Sequence, residues 1–252
     1  MTGIELVALT ALGITSGLLI GCIGIGGVIL VPALVYLAGV PVHTAIGAAM
    51  MAFLVSGVVG TVVYARKGSI RWDMTPTLWA GAIPGAVAGS LLAGLAPGTV
   101  LEVLIAALTI ASGAQAMTRA ALTDVQAHAP SAHQLAASGA VTGVASSMTG
   151  TGGPLVLVPL LLFQGVPVLM AIGLSQAIQL PIALLATVTN YLSGTLDPVL
   201  GALLGGGLLF GSWAGARLAH ALPLGTLKRV VAWVLVLVGV MILLKLMQRL
   251  WS

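Results

Sequence analysis

The sequence predicts an all-α, polytopic membrane protein built from two homologous halves. Of its 252 residues, 59% are hydrophobic and only 6% are charged, whereas a soluble domain carries about 25% charged residues. The apolar stretches are long, rich in Leu, Val and Ala, and unbroken by charge, which is typical of helices that cross a bilayer. The Gly and Pro pattern also recurs after 126 residues, half of the chain. No room remains for a separate soluble domain.

Several function classes are excluded by composition and motif content. The nine basic and five acidic residues lie mostly between apolar stretches, where basic residues set membrane topology rather than bind nucleic acid. The single cysteine, Cys22, permits neither an intramolecular disulfide nor a cysteine metal cluster. No hydrolase elbow, metal-ligand cluster or nucleotide loop is recognisable. We therefore predict no enzyme, no catalytic residue, no metal and no cofactor.

A shift of 126 residues aligns whole strings of the two halves. Gly24, Gly26 and Gly27 fall on Gly150, Gly152 and Gly153. Further matches pair Gly17 with Gly143, residues 39–42 with 165–168, residues 45–47 with 171–173, Gly68 with Gly194, and Gly81, Gly85 and Gly89 with Gly207, Gly211 and Gly215. Scattered glycines could match by composition, but ordered strings along the full half indicate a duplication.

Each half is predicted to hold the same series of apolar segments. We assign residues 1–117 to the first membrane repeat, 118–133 to a polar link and 134–252 to the second repeat, all within one membrane domain. The segments are 4–20, 28–38, 44–65, 76–95 and 99–117, then 134–145, 154–163, 170–192, 198–222 and 224–246. The first segment should stay in the mature protein, because Glu5 stands where a signal peptide would be basic.

One segment of each half, 28–38 or 154–163, is too short to span a bilayer and follows a glycine-rich break. In lipid, such a break is tolerated only inside the protein or beside a water-filled cavity. Paired short segments at corresponding places in two repeats are the best sequence indication of a transporter's binding site. We therefore expect half-helices or re-entrant helices that meet near the midplane.

Loop charges discriminate between two topologies. With an even number of crossings per half the repeats are parallel. Six basic residues then lie on one side of the membrane and three, Arg217, Lys228 and Arg229, on the other. With an odd number, Arg66, Lys67, Arg71, Arg119, Arg217, Lys228 and Arg229 share one side, seven against two. The positive-inside rule favours the larger asymmetry, which predicts inverted repeats with both termini outside.

The two glycine runs are the predicted substrate site. Free amides at a helix N-terminus attract anions, and glycine lets a ligand approach the backbone. The candidate binding residues are Gly24, Gly26, Gly27, Ser147, Thr149, Gly150, Thr151, Gly152, Gly153, Ser175, Gln176 and Gln179. The first half has Ala49, Met50 and Phe53 where the second has Ser175, Gln176 and Gln179. We therefore expect an asymmetric site, with polar groups from one repeat and apolar groups from the other.

Other conspicuous residues have structural interpretations. Gly81, Gly85 and Gly89, like their partners in the second half, are spaced for close helix crossing. The five acids, Glu5, Asp73, Glu102, Asp124 and Asp197, all lie near predicted segment ends, so no acid is expected inside the membrane. His43 and His220 are interfacial candidates for proton transfer, and Arg217 is expected to snorkel to the interface.

With its duplicated glycine runs, the Val31-Pro32 and Val158-Pro159 steps and the Gly-Val-Pro turns, the chain resembles the TauE/SafE family of sulfite and organosulfonate exporters. The resemblance covers the whole chain. It implies a multi-pass permease of the bacterial inner membrane that moves sulfite or small sulfonated or carboxylated anions, usually outward. It points to the two glycine runs with Ser147, Thr149 and Thr151. Where the second run has Thr151 the first has Ile25, which departs from a symmetric site.

The sequence thus supports a secondary transporter of a small anion in a lipid bilayer, working by alternating access. A coupling ion, H+ or Na+, and self-association into a homo-oligomer are compatible with it, and no nucleic-acid partner is expected. Two alternatives stay open: an anion channel with the same site, and a membrane scaffold or accessory subunit in which the glycines only pack helices.

Overall fold

The computed structural model describes residues 3–24, 26–118 and 130–221, together with Val240 and Leu244. Long helices dominate these residues, and no strand occurs among them. In chain order the helices are α1 (Gly3–Ile23), α2 (Gly27–Tyr36), α3 (Val42–Arg66), α4 (Thr75–Leu95), α5 (Gly98–Thr118), α6 (Ala132–Thr149), α7 (Gly153–Phe163), α8 (Val168–Leu192) and α9 (Pro198–Ala219).

Five stretches of this described part are long and apolar enough to cross a membrane: Leu6–Ile23, Val42–Arg66, Thr75–Leu95, Val168–Leu192 and Pro198–Ala219. Three shorter apolar helical stretches, Gly27–Tyr36, Gly98–Ala111 and Gly153–Phe163, accompany them. The prediction of an all-helical, polytopic membrane protein is confirmed.

Helix bounds follow the 126-residue shift. The long helices α3 and α8 begin and end at corresponding residues, and the short helices α2 and α7 begin at Gly27 and Gly153. The predicted segment 224–246, the counterpart of α5, lies almost wholly outside the described residues, as does most of the link 118–133. The domain boundaries 1–117 and 134–252 therefore stay predictions.

The counterpart helices α3 and α8 run antiparallel at the centre of the molecule. Gly47 near the start of α3 packs against Asn190 near the end of α8, and Gly60 packs against Gln176. Beyond the end of α3, Ser69 contacts Gly173 near the start of α8. Since parallel repeats would orient these two helices alike, the two halves have inverted orientations, as the loop charges predicted.

Two further helix pairs run parallel and are related by the same shift. Gly13 of α1 lies against the Leu204 carbonyl of α9, and their counterparts, Gly139 of α6 and Leu78 of α4, make the same contact. In both pairs a glycine Cα faces a backbone carbonyl of the neighbouring helix, an approach that no larger residue allows. The glycine stripes of α4 and α9 therefore pack helices, as their spacing predicted.

Basic residues gather at one end of the helices. The ends of α3 and α9 lie side by side there, because Ser69 Oγ is 3.1 Å from His220 Nε2. Arg66, Lys67, Arg71 and Arg217 all belong to this end, which the positive-inside rule assigns to the cytoplasm. The other basic residues of the charge count, Arg119, Lys228, Arg229, Lys245 and Arg249, lie outside the described residues. Because α1 runs parallel to α9, α1 begins at the opposite end of the bundle.

The apolar core forms two clusters on either side of the glycine breaks. One includes Tyr64, Leu155 and Leu161 and extends toward the end that carries the basic residues. The other includes Leu34 and Leu101 and extends toward the opposite end. The two breaks consequently lie at mid-depth in the molecule.

Candidate functional site

The chain turns back at each glycine run through backbone conformations that favour glycine. Gly24 has φ +78° just after α1, Gly150 has φ +63° at the end of α6, and Gly152 has φ +77° immediately before α7. Residues with a Cβ rarely adopt positive φ, so these glycines allow two tight reversals inside the helix bundle. Each reversal makes a hairpin: α1 with α2, and α6 with α7.

The two reversals touch each other. A methyl group added to Gly27 would overlap the Thr151 carbonyl oxygen, and one added to Gly24 would lie 2.5 Å from Pro154 Cβ. The Phe53 ring lies 3.1 Å from the first of these positions. The structure therefore brings the N-termini of α2 and α7 together between the two inverted halves.

The amides at these N-termini lack partners in the described part of the chain. Neither α2 nor α7 has a side-chain cap. The backbone N–H groups of Gly27, Gly152 and Gly153 donate no hydrogen bond to another described residue. The first turn of any helix leaves such donors, and here they lie within a buried part of the protein, where unpaired donors are costly. This is the electrostatic setting that a small anion would complement.

Gln179 joins the two halves beside the reversals. Its Nε2 donates to the Phe53 carbonyl at 2.7 Å and to Ser56 Oγ at 2.8 Å, and its Oε1 lies 3.3 Å from the position of a methyl group on Gly152. Gln179 and Phe53 are counterparts under the repeat, one polar and one apolar. Around the reversals the second half thus contributes the amide side chain and the first half contributes the aromatic ring.

Gln176 lies one turn away on α8 and bonds the hairpin of the first half. Its Nε2 donates to the Ile20 carbonyl at 2.9 Å, while its buried Oε1 faces Gly60 without a partner among the described residues. Ser175, by contrast, donates back to Ala171 of its own helix at 2.6 Å. Its carbonyl oxygen, not its hydroxyl, approaches Gly153.

The hydroxyl groups around the second glycine run are mostly engaged. Thr149 Oγ1 donates to the Ala145 carbonyl at 2.6 Å and lies 2.8 Å from Thr151 Oγ1. Ser147 Oγ is buried and has no partner among the described residues. Ser147 lies four residues after Gly143, on the face of α6 that packs on α4, and none of its described contacts links it to the reversals.

All twelve predicted site residues are buried. Gly24, Gly27, Thr151, Gly152, Gly153 and Gln179 meet at the reversals, whereas Gly26 packs on Ser16 of α1 and Gly150 on Ile46 of α3. Ser175 and Gln176 belong to the adjoining turn of α8. In this conformation the two reversals are closed against each other.

Sequence reasoning missed two features. Ser56, which receives a hydrogen bond from Gln179, stands opposite an isoleucine in the repeat, so no internal comparison indicated it. The second is the burial of Glu102, which lies near the start of α5 but is only 6% exposed. Tyr36 at the end of α2 donates to Glu102 Oε2 at 2.7 Å, and this pairing allows the carboxylate to be buried.

Charged groups outside the candidate membrane spans make local interactions. Arg71 and Asp73 pair in the loop before α4, and the hydrogen bond from Arg71 lowers the pKa of the Asp73 carboxyl. Asp197 caps α9 by accepting from the amides of Val199 and Leu200. Within the described residues, no group of three His, Cys, Asp or Glu side chains is arranged to hold a metal ion.

Comparison with known proteins agrees with this architecture. The family model described as "Sulfite exporter TauE/SafE" matches residues 9–242. A relative from Xylella fastidiosa (strain 9a5c), named "Probable membrane transporter protein", is 34% identical over 83 residues, which are 32% of this chain and 32% of the relative. The aligned region therefore spans about a third of the relative's length. No solved structure matches the chain. Since the family match extends over most of the sequence, this multi-pass membrane protein belongs to the TauE/SafE sulfite exporter family.

Proposed function

We propose that the protein is a secondary transporter of the inner membrane that exports a small anion such as sulfite or an organosulfonate. The observation that carries the proposal is the meeting of two half-helix N-termini, those of α2 and α7, at the interface of two inverted halves. Membership of a sulfite exporter family supports the anion class. The name of the Xylella relative supports transport as the activity.

The anion would bind between the two N-termini. Each helix N-terminus carries a partial positive charge of roughly half an elementary charge, and two such charges meet here within an apolar environment that strengthens their attraction for an anion. The amides of Gly27, Gly152 and Gly153 would donate to its oxygens. Phe53 offers no donor, so the ligand would be held mainly by the second half.

Alternating access would move the hairpins relative to the central helices. The pairs α1 with α9 and α4 with α6 are in backbone contact along their glycine faces, so each pair should move as a unit. The antiparallel helices α3 and α8 lie between them. Gln176 bonds α8 to α1 of one pair, and Trp79 of α4 in the other pair donates to the Ala177 carbonyl of α8. Rocking of the two pairs about α3 and α8 would open the closed reversals to one side and then to the other.

The direct test is anion flux in proteoliposomes that contain the purified protein. We expect saturable uptake of sulfite or sulfoacetate. Flux that rises linearly with anion concentration would instead indicate a channel. An absence of flux for every small anion, with the protein shown to be folded, would indicate a scaffold and refute the proposal.

The variant Gly153→Ala tests the site itself. Gly153 is the first residue of α7 and does not have positive φ, and an added methyl group would lie 3.1 Å from Ile178 Cγ2. We expect folding to be retained and uptake to fall at least tenfold, a loss of about 1.4 kcal/mol of binding or transition-state stabilisation. Gly206→Ala is the matched control, because nothing lies within 4 Å of its added methyl group. Equal uptake by the two variants would contradict the site.

A further inference from the structure

A groove between the C-terminal parts of α3 and α9 opens on the outer surface of the helix bundle. Its cavity volume is about 310 Å³. The floor is apolar and consists of Val58, Val59, Val62 and Val63 of α3. Val58 is 50% exposed and Val62 is 43% exposed. In a membrane, these valines would face the lipid chains rather than the protein interior.

The cytoplasmic end of the groove is strongly basic. Arg66, Lys67 and Arg217 line it together with Trp213, and the Arg217 guanidinium lies over the Trp213 ring, 3.9 Å from the centroid. Within the described part of the chain, no carboxylate pairs with these three cations. The described ion pair joins Arg71 to Asp73 instead. The groove thus combines an apolar channel with three cations at one mouth.

The dimensions fit an amphiphile that stands upright in the cytoplasmic leaflet. From Val58 to Arg66 the helix rises about 12 Å, enough for the upper part of an acyl chain. Arg66 and Arg217 occupy the last turns of their helices, where helix dipoles stabilise cations and where side chains reach the headgroup level. Trp213, 46% exposed beside them, is suited to the same interfacial depth.

We propose that this groove is a binding site for an anionic phospholipid of the cytoplasmic leaflet. The valine floor would contact an acyl chain, and Arg66, Lys67 and Arg217 would bind the phosphate-containing headgroup. Basic pockets between membrane helices on the cytoplasmic side bind such headgroups by the same chemistry. Because the groove joins α3 of the first half to α9 of the second, a bound lipid would bridge the two halves at the surface, away from the glycine reversals.

Lipid retention by the full-length protein tests the proposal. Native mass spectrometry of the detergent-purified protein, titrated with phosphatidylglycerol or with phosphatidylcholine of the same chains, should show preferential binding of the anionic lipid. Each cation near an anionic lipid contributes about a fivefold effect on affinity. We therefore expect Arg66→Gln/Lys67→Gln/Arg217→Gln to weaken phosphatidylglycerol binding about 100-fold, and single replacements to weaken it about fivefold each.

Two further variants separate the contribution of the groove's cations from that of its apolar floor. Arg71→Gln is the control, because Arg71 lies at the same end but pairs with Asp73 outside the groove, and its lipid binding should be unchanged. Val62→Trp should reduce binding without altering charge by filling the apolar floor. Equal binding of the two lipids, or unaltered binding by the triple variant, would overturn the proposal. Displacement of phosphatidylglycerol by equimolar inorganic phosphate would also overturn it, since the groove would then bind a free anion.

Discussion

The glycine-mediated packing of the two parallel helix pairs can be tested at corresponding positions. Gly211 of α9 faces the Ile14 carbonyl of α1, and its counterpart Gly85 of α4 faces the Ala140 carbonyl of α6. A methyl group at either position would overlap the facing carbonyl oxygen, and at Gly211 it would also lie 2.8 Å from the Leu18 amide nitrogen. Backbone cannot rotate away as a side chain can, so the helices must separate by roughly 1 Å.

The expected cost is about 1–3 kcal/mol for each substitution, the range for overpacking a well-packed interior. Alanine also has higher helix propensity than glycine, by up to about 1 kcal/mol, so the comparison must be made with alanine at open positions. Gly206→Ala in α9 and Gly94→Ala in α4 are the control variants, because nothing lies within 4 Å of either added methyl group. The difference in the free energy of unfolding between each variant and its control then measures the cost of placing a methyl group between the two helices.

Thermal unfolding of the detergent-purified protein provides the measurement. For a chain of this size a loss of 1 kcal/mol lowers Tm by about 2–4 °C, so Gly211→Ala should unfold roughly 2–12 °C below Gly206→Ala. Gly85→Ala should fall below Gly94→Ala by a similar amount, and the double variant should show the sum, since the two sites share no partner. If Gly211→Ala is as stable as Gly206→Ala, the contact between α1 and α9 is not as close as described.

Two other predictions concern the membrane part and its orientation. Tyr36→Phe removes the hydrogen bond to the buried Glu102 and should lower the free energy of unfolding by about 1–3 kcal/mol; a loss no greater than that of an exposed substitution such as Leu37→Ala would show that this bond is not formed. In a Cys22→Ser background, Lys67→Cys should react with an impermeant maleimide only from the cytoplasmic side, and its exposed repeat counterpart Ser193→Cys only from the opposite side. Labelling of both from one side would contradict the inverted arrangement.

Much of the fold follows from periodicity and duplication in the sequence. The shift of 126 residues already implied that the segments 44–65 and 170–192 would be equivalent helices, and in the structure they are Val42–Arg66 and Val168–Leu192. The shortness of α2 and α7 was likewise visible, because bilayer thickness sets a minimum length for a spanning helix. Orientation was harder, since it depended on a charge count in which one misplaced loop would reverse the outcome. The contacts of α3 with α8 decide it by geometry.

The burial of Glu102 shows where one-dimensional reasoning fails. The position of a residue in an apolar segment indicates how far it lies from the end of the helix. Glu102 is the fifth residue of α5, so the sequence places it near the helix end and does not indicate burial. Its burial comes from a neighbour distant in sequence, the end of α2, which covers it and supplies the Tyr36 hydroxyl. No pattern within α5 encodes that neighbour. The same holds for Ser56, whose role depends on Gln179 of another helix.

The location of the candidate site follows from symmetry. A residue on a two-fold axis must contact its own counterpart, and Phe53 and Gln179, which are equivalent in the two halves, are joined by a hydrogen bond of 2.7 Å. The pseudo-two-fold axis of the inverted halves therefore passes beside them. A helix end near the axis lies close to the equivalent helix end of the other half. Because α2 and α7 are equivalent and both begin at a glycine break near the axis, their N-termini lie close together.

An anion near that axis would contact Phe53 of the first half and Gln179 of the second, two equivalent positions with different side chains. Counterpart side chains far from the axis are separated by much of the molecule, whereas those of Phe53 and Gln179 face the same small volume. Replacing one apolar residue there by an amide changes the ligand's surroundings on one side only. A single substitution near the axis therefore changes the surroundings of the ligand more than a substitution elsewhere. We expect substrate differences between family members to depend on residues equivalent to 53 and 179.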